Sequence, residues 1–327
     1  MPLPRIAVLA TGGTIAGAEE APGEGRYRAA ALPVGALLEA VPQARELAAL
    51  EGEQVAQVAS QDLTPADWIV LARRARARLE EGADGIVVTH GTDTLEETAF
   101  FLDLVLDAPQ PVVVTGAMRP ATGLSADGPR NLLDSVRVAG DPAARDRGVL
   151  VVLDESIHSA RGVVKTNTSH VSTFQSPDLG AAGAIVGGRP VFFRRPGRAV
   201  RRPVDLGDAI DLPRVDVLYA CAGMPSDLVA ASLAAGARGL VLAGVGGGNA
   251  PREVIEALTE AARAGVPVVR SSRAGSGFVA RDVEIDDSAR GFVAAGALGP
   301  AKARVLLALA LLETADPEEL QRRFFAE

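Results

Sequence analysis

Residues 11–17 are Thr-Gly-Gly-Thr-Ile-Ala-Gly, and they follow an apolar run, residues 6–10, that is typical of a buried strand. Consecutive glycines let the backbone turn tightly and approach another group closely. They also leave the hydroxyl of Thr14 accessible, and such a hydroxyl can act as a nucleophile when a base takes its proton. The stretch therefore predicts either a plain strand-to-helix turn or the nucleophile loop of an enzyme. A dinucleotide-binding loop is disfavoured because the G-x-G-x-x-G spacing is absent.

Strand-like and helix-like segments alternate along the chain. Short apolar runs such as 85–89 and 149–153 predict strands, and Thr64 followed by Pro65 predicts the start of a helix that ends near Glu81. This alternation predicts a parallel-rich sheet with helices on both faces, and hence an α/β protein of two domains. The predicted ranges are 1–195 for the larger N-terminal catalytic domain, 196–212 for an Arg- and Pro-rich linker, and 213–327 for a smaller parallel α/β domain.

Composition excludes several classes of protein. The chain has 327 residues, 48% of them hydrophobic, and a net charge of −8, which disfavours nucleic acids and anionic membranes as partners. No apolar run nears the roughly 18 residues of a membrane span. The run before Thr11 is also shorter than the roughly 7–15 residues of a signal peptide, so we predict a cytoplasmic protein. Cys221 is the single cysteine and the three histidines lack metal-ligand spacing, so we expect neither metal nor cofactor.

The use of basic residues singles out one lysine. Of the 33 basic residues only Lys165 and Lys302 are lysines. Arginine stays protonated, whereas a lysine can lose its proton and act as a base. Lys302 falls in a predicted amphipathic helix and needs no special role, so Lys165 is the candidate.

Polar and small residues follow four predicted strands of the N-terminal half. In open α/β sheets, ligands bind beyond the carboxyl ends of the strands, so we expect these segments to form one site. The site would hold many hydroxyls, some amides and one acid, Asp93. We interpret His90 as a packed residue, which disfavours a Ser-His-Asp arrangement. The four segments are Thr11–Thr14, Ser60–Gln61, Thr89–Asp93 and Thr115–Ala117.

A threonine nucleophile without histidine needs another proton acceptor. A neutral Lys165 held beside Asp93 could deprotonate a threonine hydroxyl. The alternative is that these two residues form a structural ion pair. Ser60 and Gln61 would bind polar groups of the substrate, or would only cap the strand end.

Two segments resemble the signatures of the bacterial L-asparaginases and glutaminase-asparaginases. They are residues 10–17, Ala-Thr-Gly-Gly-Thr-Ile-Ala-Gly, and residues 89–98, Thr-His-Gly-Thr-Asp-Thr-Leu-Glu-Glu-Thr. The resemblance covers almost the whole chain, because it continues through residues 60–62, 164–168, 270–273 and 291–294.

The resemblance implies hydrolysis of the side-chain amide of L-asparagine to L-aspartate and ammonia. Thr14 matches the nucleophile, which forms an acyl-enzyme that water then cleaves. Thr92, Asp93 and Lys165 match a second catalytic triad, and the backbone around Thr92 would help to bind the oxyanion. Tyr27 matches a tyrosine of the lid that contacts the nucleophile.

The resemblance also implies a set of substrate-binding residues and an oligomer. Ser60, Gln61 and Asp93 would hold the α-carboxylate and α-amino group, and Ala117 would lie at the same site. Asn249 and Glu284 match positions that complete the site of a neighbouring subunit. The family is therefore expected to form a homotetramer built as a dimer of dimers.

Three other functions are weighed against this one. A glutaminase-asparaginase that also accepts L-glutamine is the nearest alternative, and Gly247, where relatives often carry a polar residue, bears on that preference. The asparaginase-like subunit of a tRNA-dependent amidotransferase is disfavoured by the acidic charge. A non-enzymatic amino-acid sensor is disfavoured because Thr14, Thr92, Asp93 and Lys165 are all present.

Overall fold

The structure is a computed structural model that describes residues 2–21, 26–194 and 203–326. The chain forms two compact units, Met1–Pro203 and Val204–Glu327. The sequence predicts a linker at 196–212, and its residues up to 202 lie outside the described part.

The elements of the N-terminal unit alternate between strand and helix before a run of strands. The helices are α1 (Val34–Glu39), α2 (Ala44–Leu47), α3 (Pro65–Glu80), α4 (Leu95–Val105) and α5 (Gly128–Ala139). The strands are β1 (Arg5–Gly12), β2 (Ala18–Glu19), β3 (Tyr27–Arg28), β4 (Ala49–Val58), β5 (Gly85–Thr89), β6 (Val112–Thr115), β7 (Val149–Leu153), β8 (Ser156–Ser159), β9 (Val164–Lys165), β10 (Phe174–Gln175), β11 (Gly183–Val186) and β12 (Arg189–Phe192).

Eight of the described strands form one sheet, in the order β12-β11-β8-β7-β6-β5-β1-β4. The five strands from β7 to β4 are parallel, which confirms the parallel-rich sheet predicted from the sequence. Strands β8, β11 and β12 extend this sheet in antiparallel fashion. The β7–β8 turn is made by Asp154 and Glu155, which both have positive φ angles (48° and 59°). Such turns usually carry Asn-Gly or Asp-Gly, so this hairpin has a weak sequence signal.

The sheet carries helices on both faces. Alternate residues of the strands point to opposite faces, and Val8, Val87 and Val113 share one core with residues of α1, α2 and α5. Helices α3 and α4 contact the same central strands from the other side and meet each other at Trp68 and Phe101, whose ring centroids are 5.5 Å apart.

Helix α3 begins where the sequence predicts. The side chain of Thr64 accepts a hydrogen bond from the N–H of Asp67, and the carboxylate of Asp67 accepts one from the N–H of Thr64. This reciprocal capping box satisfies N–H groups that a helix otherwise leaves unpaired, and Pro65 at the first position lacks an N–H to satisfy.

Strand β4 is longer than its apolar pattern indicates. The sequence predicts a strand at Gln54–Ala59, whereas the strand spans Ala49–Val58. It lies at the edge of the sheet, where Glu51 bonds to Arg5 and Glu53 bonds to Arg74. Charged side chains on an edge strand discourage pairing with other chains, and they also hide the strand from a search for apolar periodicity.

The C-terminal unit is a second, smaller α/β unit. Its elements are β13 (Val215–Tyr219), α6 (Asp227–Ala234), β14 (Gly239–Gly244), α7 (Arg252–Arg263), β15 (Val268–Ser272), α8 (Asp287–Arg290), β16 (Phe292–Ala294), α9 (Pro300–Ala310) and α10 (Pro317–Ala326). The four strands form a parallel sheet in chain order. The short elements α8 and β16 were not predicted, because stretches this short carry too few positions to show a period.

Two glycines bring the ends of β1 and β5 into backbone contact. A β-carbon on Gly13 would lie 2.2 Å from Cα of Gly91, which is closer than any non-bonded atoms can approach. Gly13 also has a φ of 80°, in the region that favours glycine. Gly13 is therefore required by a contact with the loop that contains Thr92.

We expect Gly13→Ala to lower the free energy of unfolding by about 3 kcal/mol. The added methyl group would clash with the backbone of Gly91, and alanine disfavours the positive φ angle at this position. Urea unfolding followed by circular dichroism measures this. Gly35→Ala in α1 is the matched control, since a β-carbon there meets no atom within 4 Å. A Gly13→Ala protein as stable as Gly35→Ala would contradict the required contact.

Candidate active site

The carboxyl ends of neighbouring parallel strands meet at one edge of the N-terminal sheet. Strands β5, β1 and β4 are adjacent, with Ala10 in register with Thr89. The loops that follow them surround an open cavity of about 330 Å³. Its lining residues are Gly13, Thr14, Tyr27, Ala29, Ala59, Ser60, Gln61, Gly91, Thr92 and Asp93.

Thr14 lies directly after β1, in a short 3-10 helix that spans Thr14–Ala16. Its side chain is almost buried, and its hydroxyl is 3.0 Å from the hydroxyl of Tyr27. Tyr27 is held there by pairing of β3 with β2, in which it lies opposite Glu19. Gly17 makes room for the ring, because a β-carbon at that position would lie 3.0 Å from Tyr27 Cδ2.

A second hydroxyl group, that of Thr92, has a lysine as its partner. Lys165 Nζ donates hydrogen bonds to Thr92 Oγ1 at 3.0 Å and to Asp93 Oδ1 at 2.6 Å. The lysine side chain is 16% exposed, whereas that of Asp93 is 64% exposed. An ion pair with one exposed partner contributes little to stability. Because Lys165 binds Oδ1 and the Asp93 side chain is largely exposed, the second oxygen of the carboxylate is available to a ligand in the cavity.

The predicted base lies beside the second threonine. The sequence predicts that Lys165 lies beside Asp93 and accepts a proton from a threonine. The structure brings Lys165 and Asp93 together, and the hydroxyl that the lysine contacts belongs to Thr92, while that of Thr14 bonds to Tyr27. The cavity thus holds two hydroxyl groups, each with a separate partner for proton transfer.

The remaining predicted residues of the N-terminal unit differ in exposure. Ser60 is buried and Gln61 exposed, and both line the cavity. Ala117 follows β6 but is fully buried and is outside the described lining of the cavity. The loop after Ala117 is fixed by Asp127, whose carboxylate accepts hydrogen bonds from the N–H groups of Met118 and Arg119.

Asn249 and Glu284 form a pair within the C-terminal unit. Asn249 Nδ2 donates to Glu284 Oε2 at 2.6 Å, although the two residues are 35 positions apart. Asn249 closes a tight loop after β14, in which Val245 and Asn249 form an isolated antiparallel bridge. Glu284 lies on an exposed loop before α8.

One positioning residue escaped the sequence argument. The carboxylate of Glu96 accepts a hydrogen bond of 2.6 Å from the backbone N–H of Lys165. Glu96 lies in the first turn of α4, where an acidic side chain also suits the helix dipole. The contact spans 69 positions, so no local pattern could reveal it.

His90 binds the backbone of the loop that contains Thr92. It is fully buried, its Nδ1 lies 2.7 Å from the carbonyl oxygen of Gly91, and its Nε2 lies 2.8 Å from the hydroxyl of Thr98. A carbonyl can only accept, so Nδ1 carries the proton and Nε2 accepts from Thr98. Burial lowers the pKa of His90 from 6.5 to about 4. The imidazole is therefore neutral near pH 7 and is packed, as predicted.

Two family models, one for each domain of the same family, match this chain. The profile described as "Asparaginase, N-terminal" matches residues 5–198, and the profile described as "Glutaminase/Asparaginase C-terminal domain" matches residues 214–324. Together they cover most of both structural units. The chain belongs to the asparaginase family.

Individual relatives are similar over nearly their full length. The Haemophilus influenzae protein named "Probable L-asparaginase periplasmic" is 45% identical over 324 residues, which cover 98% of this chain and 93% of the relative. The Pseudomonas aeruginosa protein named "Glutaminase-asparaginase" is 41% identical and covers 99% of this chain, with 90% of its own length matched. The crystal structure of the "Probable Cytoplasmic L-asparaginase" from Campylobacter jejuni has a TM-score of 0.94 and 42% identity, covering 99% of this chain and 100% of that one.

The buried His90 predicts a pH-dependent stability. Because its pKa in the folded protein lies below that of the unfolded chain, the unfolded state binds more protons between about pH 6.5 and pH 4. Stability should therefore fall as the pH drops through this range, by about 3 kcal/mol from this group alone.

Replacing the imidazole tests this contribution. In His90→Asn the amide can still donate a hydrogen bond to the carbonyl of Gly91. Because asparagine does not take up a proton in this range, the variant should lose less stability than the wild type between pH 6.5 and pH 4. Urea unfolding at several pH values measures the difference, and His170→Asn at an exposed position is the control. Identical pH profiles for wild type and His90→Asn would contradict the assignment.

Proposed function

We propose that this protein is an L-asparaginase, which hydrolyses L-asparagine to L-aspartate and ammonia through a threonine acyl-enzyme. The observation that carries the proposal is the pairing of two threonine hydroxyls, Thr14 with Tyr27 and Thr92 with Lys165, at one cavity. The family and the names of the full-length relatives point to the same substrate class.

The reaction can be written with these groups. The Thr14 oxygen attacks the side-chain amide carbon, while the Tyr27 oxygen, within hydrogen-bonding distance, accepts the hydroxyl proton and the tyrosine passes its own proton to solvent. The carbon–nitrogen bond then breaks, and the leaving nitrogen gains a proton to depart as ammonia. Thr92 is the proposed donor of that proton, and it regains one from Lys165, which donates a hydrogen bond to it. Water then attacks the ester carbon, its proton returns to Lys165 through Thr92, and the Thr14 oxygen leaves with a proton that Tyr27 returns from solvent.

The walls of the cavity suit an α-amino acid. The exposed carboxylate of Asp93 can accept hydrogen bonds from an α-ammonium group. The hydroxyl of Ser60 and the side-chain amide of Gln61 can donate hydrogen bonds to the α-carboxylate. Ala117 contributes no side-chain contact in this proposal, because it is fully buried and outside the described lining.

Among the described residues, the helices are too short or too polar to span a membrane.

We expect the purified protein to release ammonia from L-asparagine with a higher kcat/KM than from L-glutamine. A coupled ammonia assay on both amides measures the ratio. One extra methylene in a fitted pocket is worth about 1–3 kcal/mol, so a ratio near 1 would favour the alternative of a glutaminase-asparaginase. That alternative has support in the name of the Pseudomonas aeruginosa relative.

Variants separate catalysis from binding. Thr14→Ala and Lys165→Met should each lower kcat by roughly 10³-fold or more, because each removes a group that acts on the reacting atoms. Equal melting temperatures show that the fold survives. Substantial ammonia release by either variant would refute the role given to that residue.

We also propose that the active protein is a homotetramer, a dimer of dimers, in which Asn249 and Glu284 complete the site of a neighbouring copy. Support comes from the resemblance of these positions to the family and from their pairing at 2.6 Å. A carboxylate and an amide on two adjacent loops can both accept hydrogen bonds from an α-ammonium group.

The cytoplasmic location is likewise a proposal, supported by the name of the Campylobacter jejuni neighbour and tested by cell fractionation.

A shared site predicts complementation between two inactive variants. Thr14→Ala lacks the nucleophile, and Asn249→Ala lacks a group supplied to the neighbour. Mixed dimers would contain one intact site, so about half of the wild-type activity per dimer should return. Light scattering establishes the oligomer, and co-refolded chains with different affinity tags provide the mixed species. Mixtures no more active than the mean of their parents would contradict the shared site.

A further inference from the structure

The largest buried charge of the C-terminal sheet lies outside the residues assigned so far. Arg270, on β15, is 1% exposed, and Asp287, at the start of α8, is 0% exposed. The guanidinium meets the carboxylate through two bonds, Nε to Oδ1 at 2.5 Å and Nη2 to Oδ2 at 2.7 Å. This is the paired geometry that arginine, and not lysine, can make with a carboxylate.

The other N–H groups of Arg270 bind backbone carbonyls on two loops. Nη1 donates to the carbonyl oxygens of Gly247 at 2.9 Å and Gly248 at 3.4 Å, and Nη2 donates to that of Ala280 at 3.3 Å. A guanidinium has five N–H groups, so every donor has a partner. One side chain thereby ties the loop after β14 to the loop that leads into α8.

Asp287 extends the connection along the second loop. Its Oδ2 also accepts a hydrogen bond of 2.9 Å from the backbone N–H of Asp282, which has a φ of 58°. The carboxylate of Asp282 in turn binds the N–H and the hydroxyl of Ser288. These bonds fix the backbone on both sides of Glu284, whose own side chain is exposed.

Stability alone does not account for such a buried pair. Removing two charges from water costs several kcal/mol for each ion, and buried pairs are often no more stabilising than apolar residues of similar size. The specific result of this pair is geometric. Asn249 directly follows the two carbonyls bound by Arg270, and Glu284 lies between Ala280 and Asp287, the two points at which Arg270 holds the second loop.

The clearance between the two loops is small. A β-carbon on Gly248, which has a φ of 90°, would lie 3.0 Å from Arg270 Nη1, and one on Gly247 would lie 3.0 Å from Glu284 Oε2. The bond of 2.6 Å between Asn249 and Glu284 therefore depends on the separation that Arg270 sets.

We propose that Arg270 and Asp287 are positioning residues, which hold Asn249 and Glu284 at the geometry that recognises the α-ammonium group of the substrate in a neighbouring copy. The inference rests on the proposed function and on its shared site. It identifies a part of the C-terminal unit that acts on the reaction only through those two side chains.

Arg270→Lys tests the proposal with the least change. Lysine retains the charge opposite Asp287 but cannot reach the carboxylate and the three carbonyls together. We expect kcat/KM for L-asparagine to fall roughly 10- to 100-fold, mainly through a higher KM, because a displaced binding group weakens substrate orientation. Asp287→Glu, which keeps the charge but moves it, should have the same effect and tests the other partner.

Complementation distinguishes positioning in a neighbouring site from a general loss of structure. In dimers of Arg270→Lys with Thr14→Ala, one site combines an intact Thr14 with intact loops, so the wild-type KM should return at that site. Arg214→Lys is the control, because Arg214 also forms a two-bond pair, with Asp216, and its other described hydrogen bond goes to the carbonyl of Ala235, outside both loops. It should leave KM unchanged.

The outcomes separate this inference from the function on which it rests. If Thr14→Ala restores Asn249→Ala but neither Arg270→Lys nor Asp287→Glu, the positioning role is wrong while the shared site stands. An unchanged KM in both variants overturns the positioning role as well. If Thr14→Ala fails to restore Asn249→Ala, the shared site itself is wrong and the inference falls with it.

Discussion

The contact between Gly13 and Gly91 is the constraint on which the N-terminal site depends. It joins the loops after β1 and β5 through their main chains, with a separation that excludes even a methyl group. Since the two strands are paired with Ala10 opposite Thr89, the register of the sheet is transmitted to both loops. Thr14 and Thr92 are therefore positioned by the main chain, whose φ and ψ angles are restricted by steric clashes to a few allowed regions.

This arrangement supports chemistry without a catalytic histidine. His90, in the loop before Thr92, is buried and neutral, and its Nδ1 donates to the carbonyl of Gly91. In the proposed reaction, protons are transferred by groups that come from separate parts of the chain. Tyr27 comes from the short hairpin after Thr14, and Lys165 comes from β9, where Glu96 binds its backbone. Each hydroxyl thus has a partner whose position is set independently of the other.

The sequence predicted the parts of this structure that depend on neighbouring residues. The glycine turn, the strands 85–89 and 149–153, and the cap at Thr64 all have local signals, and the structure contains them. Contacts between distant residues were beyond such signals. Glu96 meets Lys165 across 69 positions, and the residue pattern left open which threonine Lys165 contacts, so only the family resemblance grouped it with Thr92. The antiparallel extension of the sheet was missed because its first turn uses Asp154 and Glu155 at positive φ.

The two units fix their loops by opposite means. Between Gly13 and Gly91 the backbones touch, so precision comes from the absence of side chains. The loop closed by the bridge between Val245 and Asn249 turns its carbonyls inward, and buried carbonyls need donors. Arg270 supplies them, and its charge then requires Asp287. A neutral donor could satisfy one carbonyl, but only a guanidinium reaches both loops and a carboxylate at once. The buried ion pair is thus the consequence of holding two loops with one side chain.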